Sequence, residues 1–280
     1  MADTAFQEKF RQEVIMGFEK SQSLLRRTVT IETEVNGNEA TFLVADSGGA
    51  TAVTRGVNGD IPTRPDNLNQ YTATLVEWHD VPERTRFNIY ASQGNGRKIM
   101  QQTSMKVINR KIDADIYAEL DNATTSWTGG AGEVTHAKLL DAVVTLGNNF
   151  AMESMPWAVI SPAFHARLMT TDKFTSVDYV DVKPFEGVNR ATAFSWHGVN
   201  WLVDAGVPGA GTTTADLYMY ASAAIGHACD VERISTAVGY DEKNDKSWAR
   251  CTVFMGSKIL QNAGIVKMPH DDTDLSTAFG

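Results

Sequence analysis

The residues best suited to chemistry in this chain are its six histidines, His79, His136, His165, His197, His227 and His270, and no two stand at metal-ligand spacing. His270-Asp271-Asp272 and His79-Asp80 mix nitrogen and carboxylate donors that could bind a cation, although tails and turns collect such residues freely. Ser161 and His165 lie one helical turn apart, yet Ser161 directly before Pro162 is better explained as a helix N-cap than as a nucleophile. The run Gly206-Val207-Pro208-Gly209-Ala210-Gly211 is the nearest approach to a phosphate cradle. It leads into Thr212–Thr214 and an expected strand, where a dinucleotide fingerprint requires a helix, so it reads as a turn. There is no Gly-x-Ser-x-Gly elbow, no Walker loop and no cysteine placed for nucleophilic work. Carboxylates are plentiful, and sequence does not say which converge. The expectation is a protein without a catalytic site, a metal or a cofactor.

Composition narrows the class further. The 280 residues carry 25 basic and 34 acidic side chains, a net charge of -9, which argues against a whole surface devoted to nucleic acid and leaves room for one basic face. An apolar content of 42% is ordinary for a globular protein with a core. Cys229 and Cys251 lie in apolar stretches and are too few for a disulfide framework, which fits a reducing compartment. Met1 to Phe10 is polar and charged, and no apolar run is long enough to cross a bilayer, so neither signal peptide nor membrane span is expected.

The charges of one span are unusual. Between Lys20 and Lys98 there is no lysine, while Arg26, Arg27, Arg55, Arg64, Arg84 and Arg86 recur through it. Before it, Phe6, Phe10, Val14 and Phe18 recur every four residues, predicting a short amphipathic docking helix between Ala5 and Lys20. Alternation from Thr28 to Val35, then Asn36-Gly37, then Ala40 to Val44 predicts a β-hairpin, because Asn-Gly supplies the positive φ of a tight primed turn. Asp46 to Asn69 holds Gly48, Gly49, Gly56, Gly59, Pro62 and Pro65, which predicts a long exposed loop. Alternation resumes from Tyr71 to Trp78, with Thr72, Thr74, Val76 and Trp78 on one face. A loop of that length between strands is a protruding arm, poor geometry for a pocket and good geometry for clasping a neighbour.

From Arg97 to about Asn122 no glycine or proline intervenes, and Met105, Ile108, Ile112, Ile116 and Leu120 predict one apolar stripe on a helix of roughly 39 Å. Lys98, Lys106, Arg110 and Lys111 precede Asp113, Asp115, Glu119 and Asp121, an order that opposes the helix macrodipole. Lys111 with Asp115 and Arg110 with Asp113 are helix-spaced pairs. Two readings stand side by side: a solvated, salt-bridged face, or a basic half that meets an anion. Beyond it the pattern predicts a helix over Thr135–Phe150, a strand over Trp157–Ile160, a helix to about Met169 and strands over Val199–Val203 and Leu217–Tyr220. A second hairpin, Ile234–Tyr240 with Ser247–Phe254, and a further strand within Ile259–Met268 complete an α+β chain. The six tryptophans fall mostly in apolar strand runs and are expected in the core.

The order of these elements closely resembles the start of major capsid proteins of tailed bacteriophages. The resemblance is carried by Leu24-Leu25-Arg26-Arg27-Thr28-Val29, the stretch around Asn36-Gly37-Asn38-Glu39-Ala40, Thr54-Arg55-Gly56 with Gly59-Asp60-Ile61-Pro62, and Asn109-Arg110-Lys111-Ile112-Asp113-Ala114-Asp115 in the long helix. It covers nearly the whole chain and implies the Hong Kong 97-type fold. On that likeness residues 1–25 are an N-terminal helical arm and 26–90 an extended loop. Residues 91–134 and 231–270 form a peripheral domain around a spine helix, 135–230 an axial domain, and 271–280 a tail.

The function implied is a shell subunit that assembles with itself into hexamers and pentamers of an icosahedral head around double-stranded DNA, located in the virion and assembled in the bacterial cytoplasm. A portal and a separate scaffolding protein are implied partners, the latter because the chain lacks a long N-terminal helical extension, and a decoration protein is a further one. Contacts between subunits are expected at Arg26, Arg27, Arg55, Asp60, Arg64, Asp66, Arg84 and Arg86, and anion contacts on the inner face at Lys98, Lys106 and Arg110. The missing lysines depart from the lysine-to-asparagine cross-link of part of the family, so a non-covalent shell is expected. Two alternatives stay open: an encapsulin-like compartment shell, and a soluble enzyme with a carboxylate site.

Overall fold

The computed structural model describes residues 22–32, 35, 37–47, 49–57, 59, 61–64, 67–91, 96–128, 136–169, 193–229 and 235–273. The helix expected between Ala5 and Lys20 lies outside them. The architecture is α+β, with two main sheets and a separate two-stranded ribbon.

The first sheet is organised by one 14-residue strand, β12 (Lys246–Ile259). Along one edge it pairs antiparallel with β10 (Ile225–Cys229) and β11 (Ser235–Asp241). Along the other it pairs antiparallel with β4 (Val76–Asp80) and β5 (Glu83–Thr85). β1 (Thr30–Glu32) runs parallel to β10 at the margin. After the short helix α1 (Arg86–Ala91), the 25-residue α2 (Gly96–Leu120) packs on this sheet. Ile108, Ile112, Ile116 and Leu120 share one core with Cys251, Val253 and Met255, the odd-numbered face of β12. The stripe rotates slightly from the expected one: Met105 is exposed, and buried Ser104 takes the adjacent position, donating to the Asp80 carbonyl at 3.2 Å.

The second sheet has the order β13 (Ile265–His270), β9 (Ala215–Ala221), β6 (Pro156–Ile160), β8 (Val199–Val203), β7 (Ala193–Trp196). Only β6 and β8 are parallel. α3 (His136–Asn148) buries Leu139, Ala142 and Leu146 but leaves Leu140 and Val144 outward. α4 (Pro162–Met169) starts as expected, with Ser161 Oγ accepting the Phe164 N–H at 3.1 Å. The strand expected within Ile259–Met268 is broken at Leu260 and passes to the second sheet as β13, while β10 joins the long strands. The two sheets thus exchange a strand on either side of the expected limit at 230/231.

The hairpin expected at Asn36-Gly37 does not form. Gly37 does take positive φ, 95°, but β1 pairs with β10, and β2 (Glu39–Asp46) pairs antiparallel with β3 (Asn67–Thr74). The reason is packing above the sheet. Phe42 lies on Gly226 of β10 so closely that a Cβ there would stand 2.7 Å from its ring, and Ala40, Phe42, Ala73, Ala228 and Leu260 close a small second core. Crossing over β10 buries more apolar surface than a hairpin with a strand exposed on both faces. The single strand expected over Tyr71–Trp78 is likewise two, because Leu75 donates to the Asn38 carbonyl at 2.8 Å and the chain changes partner there from β2 to β12.

Tryptophan burial follows expectation for Trp127, Trp196 and Trp201, although Trp127 lies in no strand, and Trp78, Trp157 and Trp248 are only partly buried. Both cysteines are buried. Among the described residues no helix is long and apolar enough to cross a membrane.

Candidate functional site

The feature that no compact core accounts for is the outer part of the β2–β3 ribbon, beyond the small second core at its base. Its eight pairs, from Glu39↔Thr74 to Asp46↔Asn67, make a ladder of about 26 Å. Beyond the ladder, every described residue from Ser47 to Arg64 is exposed. Leu43, Val53, Val57, Ile61 and Leu68 all present apolar side chains to water along it. A lone subunit gains nothing from that exposure, and a ribbon that pairs with no third strand among the described residues is a template for pairing or clasping. Arg64 Nη1 donates to the Ser47 carbonyl at 3.0 Å, tying the two ends of the loop together at its base. Arg55 is exposed near the far part of the loop, and Asp60 and Asp66 lie outside the described residues.

The other expected contact residues fall in two further places. Arg84 is exposed on β5, opposite Ser247. Arg86 opens α1, its backbone N–H donating to the Asp245 carbonyl at 3.1 Å, so both arginines sit beside the turn that joins β11 to β12. An open concavity borders that turn, lined by Val81, Glu83, Tyr240, Asp241, Trp248 and Arg250. Arg26 and Arg27 belong to a 3-10 turn, Arg26–Thr28, where Arg26 is half-buried and Arg27 exposed. Lys98 and Arg110 are exposed on α2 and Lys106 is half-buried; Lys111 reaches back to cover the Trp78 ring, its Nζ 3.7 Å from the centroid.

The acidic half of α2 departs from a solvated face. Asp113 is buried and accepts from Ser23 Oγ at 2.6 Å. Asp115 accepts from Ser257 Oγ at 2.7 Å, and burial raises its pKa above the ordinary carboxylate value. Glu119 accepts the Ile259 N–H at 2.9 Å, with Lys258 Nζ at 3.5 Å. Asp121 pairs with Lys267 Nζ at 2.6 Å. Four successive carboxylates therefore fasten three segments, the stretch from Ser23, the end of β12 and β13, to the C-terminal end of one helix. Sequence reasoning missed this because each partner is some 90 to 146 residues away. The one available signal was the order of charges: acids gathered at a helix C-terminus oppose the macrodipole and need donors from elsewhere.

A second buried polar group closes the C-terminal end. Asp272 Oδ1 lies 2.6 Å from His270 Nδ1 and accepts from Ser161 Oγ at 2.8 Å, while Oδ2 accepts the Gly211 N–H at 2.9 Å. The carboxylate stands between serine and histidine, so the His270 imidazole meets the acid and not the hydroxyl, and the serine caps α4 as its sequence context implied. His79 bonds Thr252 and Glu77 through its two nitrogens. Gly206–Gly211 is a turn, with Gly206 N–H bound by Asp204 and a strand following. Among the described residues no group of three or more histidine, cysteine or acidic side chains could hold a metal ion.

This arrangement of sheets, long helix and projecting ribbon recurs in solved structures over nearly the full chain. A protein of Mycobacterium phage Che8 superposes with a TM-score of 0.74 at 13% identity, covering 96% of this chain and 98% of its own. The capsid of Ralstonia phage GP4 does so with a TM-score of 0.71 at 12% identity, over 98% and 97%. The capsid of a native GTA particle, computed with C5 symmetry, gives 0.71 at 14%, over 95% and 96%. No curated protein sequence matches the chain. At these identities the likeness establishes the Hong Kong 97-type fold, and the sequence itself matches the family described as phage capsid protein over residues 2–272, so the chain belongs to that family.

Proposed function

We propose that this chain is the major capsid protein of a tailed-phage head, a structural subunit that assembles with copies of itself into hexamers and pentamers of an icosahedral shell around double-stranded DNA. The observation that carries this reading is the β2–β3 ribbon with its exposed apolar loop, which is unsatisfied in one subunit and requires a neighbour. Family membership supports the same role. Within the shell, Arg26, Arg27, Arg55, Asp60, Arg64, Asp66, Arg84 and Arg86 are proposed contacts between subunits, since guanidinium pairs with carboxylates in forked geometry and is weakly hydrated. Lys98, Lys106 and Arg110 are proposed to meet packaged DNA without sequence selection.

The proposed division is an arm (1–25), an extended loop (26–90), a peripheral domain (91–134 and 231–270), an axial domain (135–230) and a tail (271–280). The two separate sheets follow it only in outline, since β10 and β13 each cross to the other unit and β1, β4 and β5 of the 26–90 segment belong to the first sheet. A portal, a scaffolding protein and a decoration protein are proposed partners, and the phage head, built in the host cytoplasm, the proposed location. Electron microscopy of the purified protein tests the reading: closed shells or capsomer sheets are expected. Monodisperse single subunits at every concentration and salt condition would overturn it, and particles from infected cells that hold protein cargo in place of DNA would turn it toward a compartment shell.

A further inference from the structure

Ten residues, Ser23–Glu32, touch the long helix and both sheets in succession. The stretch begins on Asp113 of α2, whose carboxylate accepts from Ser23 Oγ at 2.6 Å, Leu24 N–H at 3.2 Å and Leu25 N–H at 3.1 Å. Ser23 Oγ in turn accepts the Arg26 N–H at 3.3 Å, so carboxylate and hydroxyl together cap the turn Arg26–Thr28 from outside. Thr28 Oγ1 then donates to the Leu25 carbonyl at 2.7 Å, which leaves it as acceptor for the hydroxyl of Tyr220, a fully buried residue of β9 in the second sheet. Thr30 Oγ1 donates to the Ser222 carbonyl at 3.0 Å, and β1 runs on parallel to β10 of the first sheet.

Asp113 is only 2% exposed and lies beside Ile112 and Ile116 on the buried side of α2. An apolar residue would satisfy that packing without the desolvation that a carboxylate must offset, so a buried acid here contributes geometry more than net stability. Its charge-assisted bonds include two to backbone N–H groups and one to a hydroxyl, which fixes the strap by main chain as well as by side chain. The strap continues through β1 to β2, the first strand of the ribbon.

We propose that Asp113 is a positioning residue for assembly: it pins the strap Ser23–Glu32 across the long helix and both sheets, and thereby sets the direction in which the β2–β3 ribbon leaves the body toward a neighbouring copy. The proposal rests on the shell reading above. It does not require any contact between Asp113 and the neighbour.

The test is hydrogen exchange and cryo-microscopy on the full chain carrying Asp113→Asn, with Ser23→Ala as a milder second variant that keeps the carboxylate. Amides of residues 24–32 and of their partners 226–228 are expected to exchange about tenfold faster or more in Asp113→Asn, with a smaller change in Ser23→Ala. Residues 158–160 and 217–219 should keep wild-type protection, and particles should lose their single diameter. Three results overturn the proposal: loosening of the whole core together in both variants, which marks a purely stabilising role; a loosened strap with particles of wild-type uniformity; or no local change in either variant. If Asp113→Asn does not fold, Ser23→Ala decides by the same two readouts. Wild-type protein that forms no particles instead removes the shell reading, and with it the assembly role, whatever the exchange pattern.

Discussion

His227 Nδ1 lies 2.9 Å from Ser257 Oγ, across the pairing of β10 with β12. Because the Ser257 hydroxyl gives its own proton to Asp115, the imidazole donates from Nδ1, and its buried Nε2 is left as an acceptor without a partner among the described residues. The Asp115 carboxylate is 4.0 Å from the ring, close enough for an ion pair, yet burial and the nearby Arg26 charge hold the His227 pKa down to about 4. Desolvation outweighs the single acid, and the histidine is neutral in the fold.

That neutrality sets a pH dependence. An unfolded histidine takes up a proton near pH 6.5 and the folded one only near 4, so stability should fall as pH drops through that window and level off below it. The loss is on the order of 3 kcal/mol from this group. Denaturant unfolding of wild type and His227→Asn across the window checks it: the variant should show a shallower slope, and parallel slopes would assign the effect to other groups.

Gly256 makes a second prediction. A Cβ on it would stand 2.3 Å from the Thr74 carbonyl oxygen, where β12 passes the junction between β3 and β4. Backbone fixed by two partners cannot yield, so Gly256→Ala should cost about 2–3 kcal/mol. Gly147→Ala, in open space on α3, should instead stabilise by about 0.5–1 kcal/mol. Thermal melts of the two variants should shift in opposite directions.

Arg55 is exposed on a loop that the body does not cover, so Arg55→Ala should leave the melting of the single subunit within about 0.5 kcal/mol of wild type while impairing assembly. Arg64→Ala should act similarly and also free the loop base, through loss of the Ser47 contact. Light scattering of assembly reactions alongside melts of dissociated subunits separates the two effects. Normal particles from both variants would reduce these arginines to solubilising groups.

The span from Lys20 to Lys98 contains no lysine, so cross-linking through a lysine of the ribbon loop is chemically excluded and the shell should be non-covalent there. Mature particles boiled in denaturant should run as single chains on electrophoresis. A ladder of linked subunits would place a covalent bond elsewhere in the chain.

Local signals read well wherever they were self-sufficient. The glycine and proline density of Asp46–Asn69 foretold the projecting loop, the Ser161-Pro162 start of α4 held to the atom, and four-residue spacing foretold α2 and its core stripe but for Met105. The hairpin at Asn36-Gly37 failed because its turn signal was local while its pairing was not: Phe42 over Gly226 sent β2 to a different partner.

What the sequence by itself determined was therefore the inventory: which stretches form helix, strand or loop, which family words the chain carries, and that the ribbon span lacks lysine. Periodicity and turn chemistry act within a few residues, and composition needs no partner. Tertiary structure alone decided which strand meets which, and it showed the acids in and just after α2, which the sequence left open to a solvated face, to be fastenings for residues 23–25, 257, 259 and 267. A buried carboxylate must find donors, and where those donors stand depends on the folding of the whole chain.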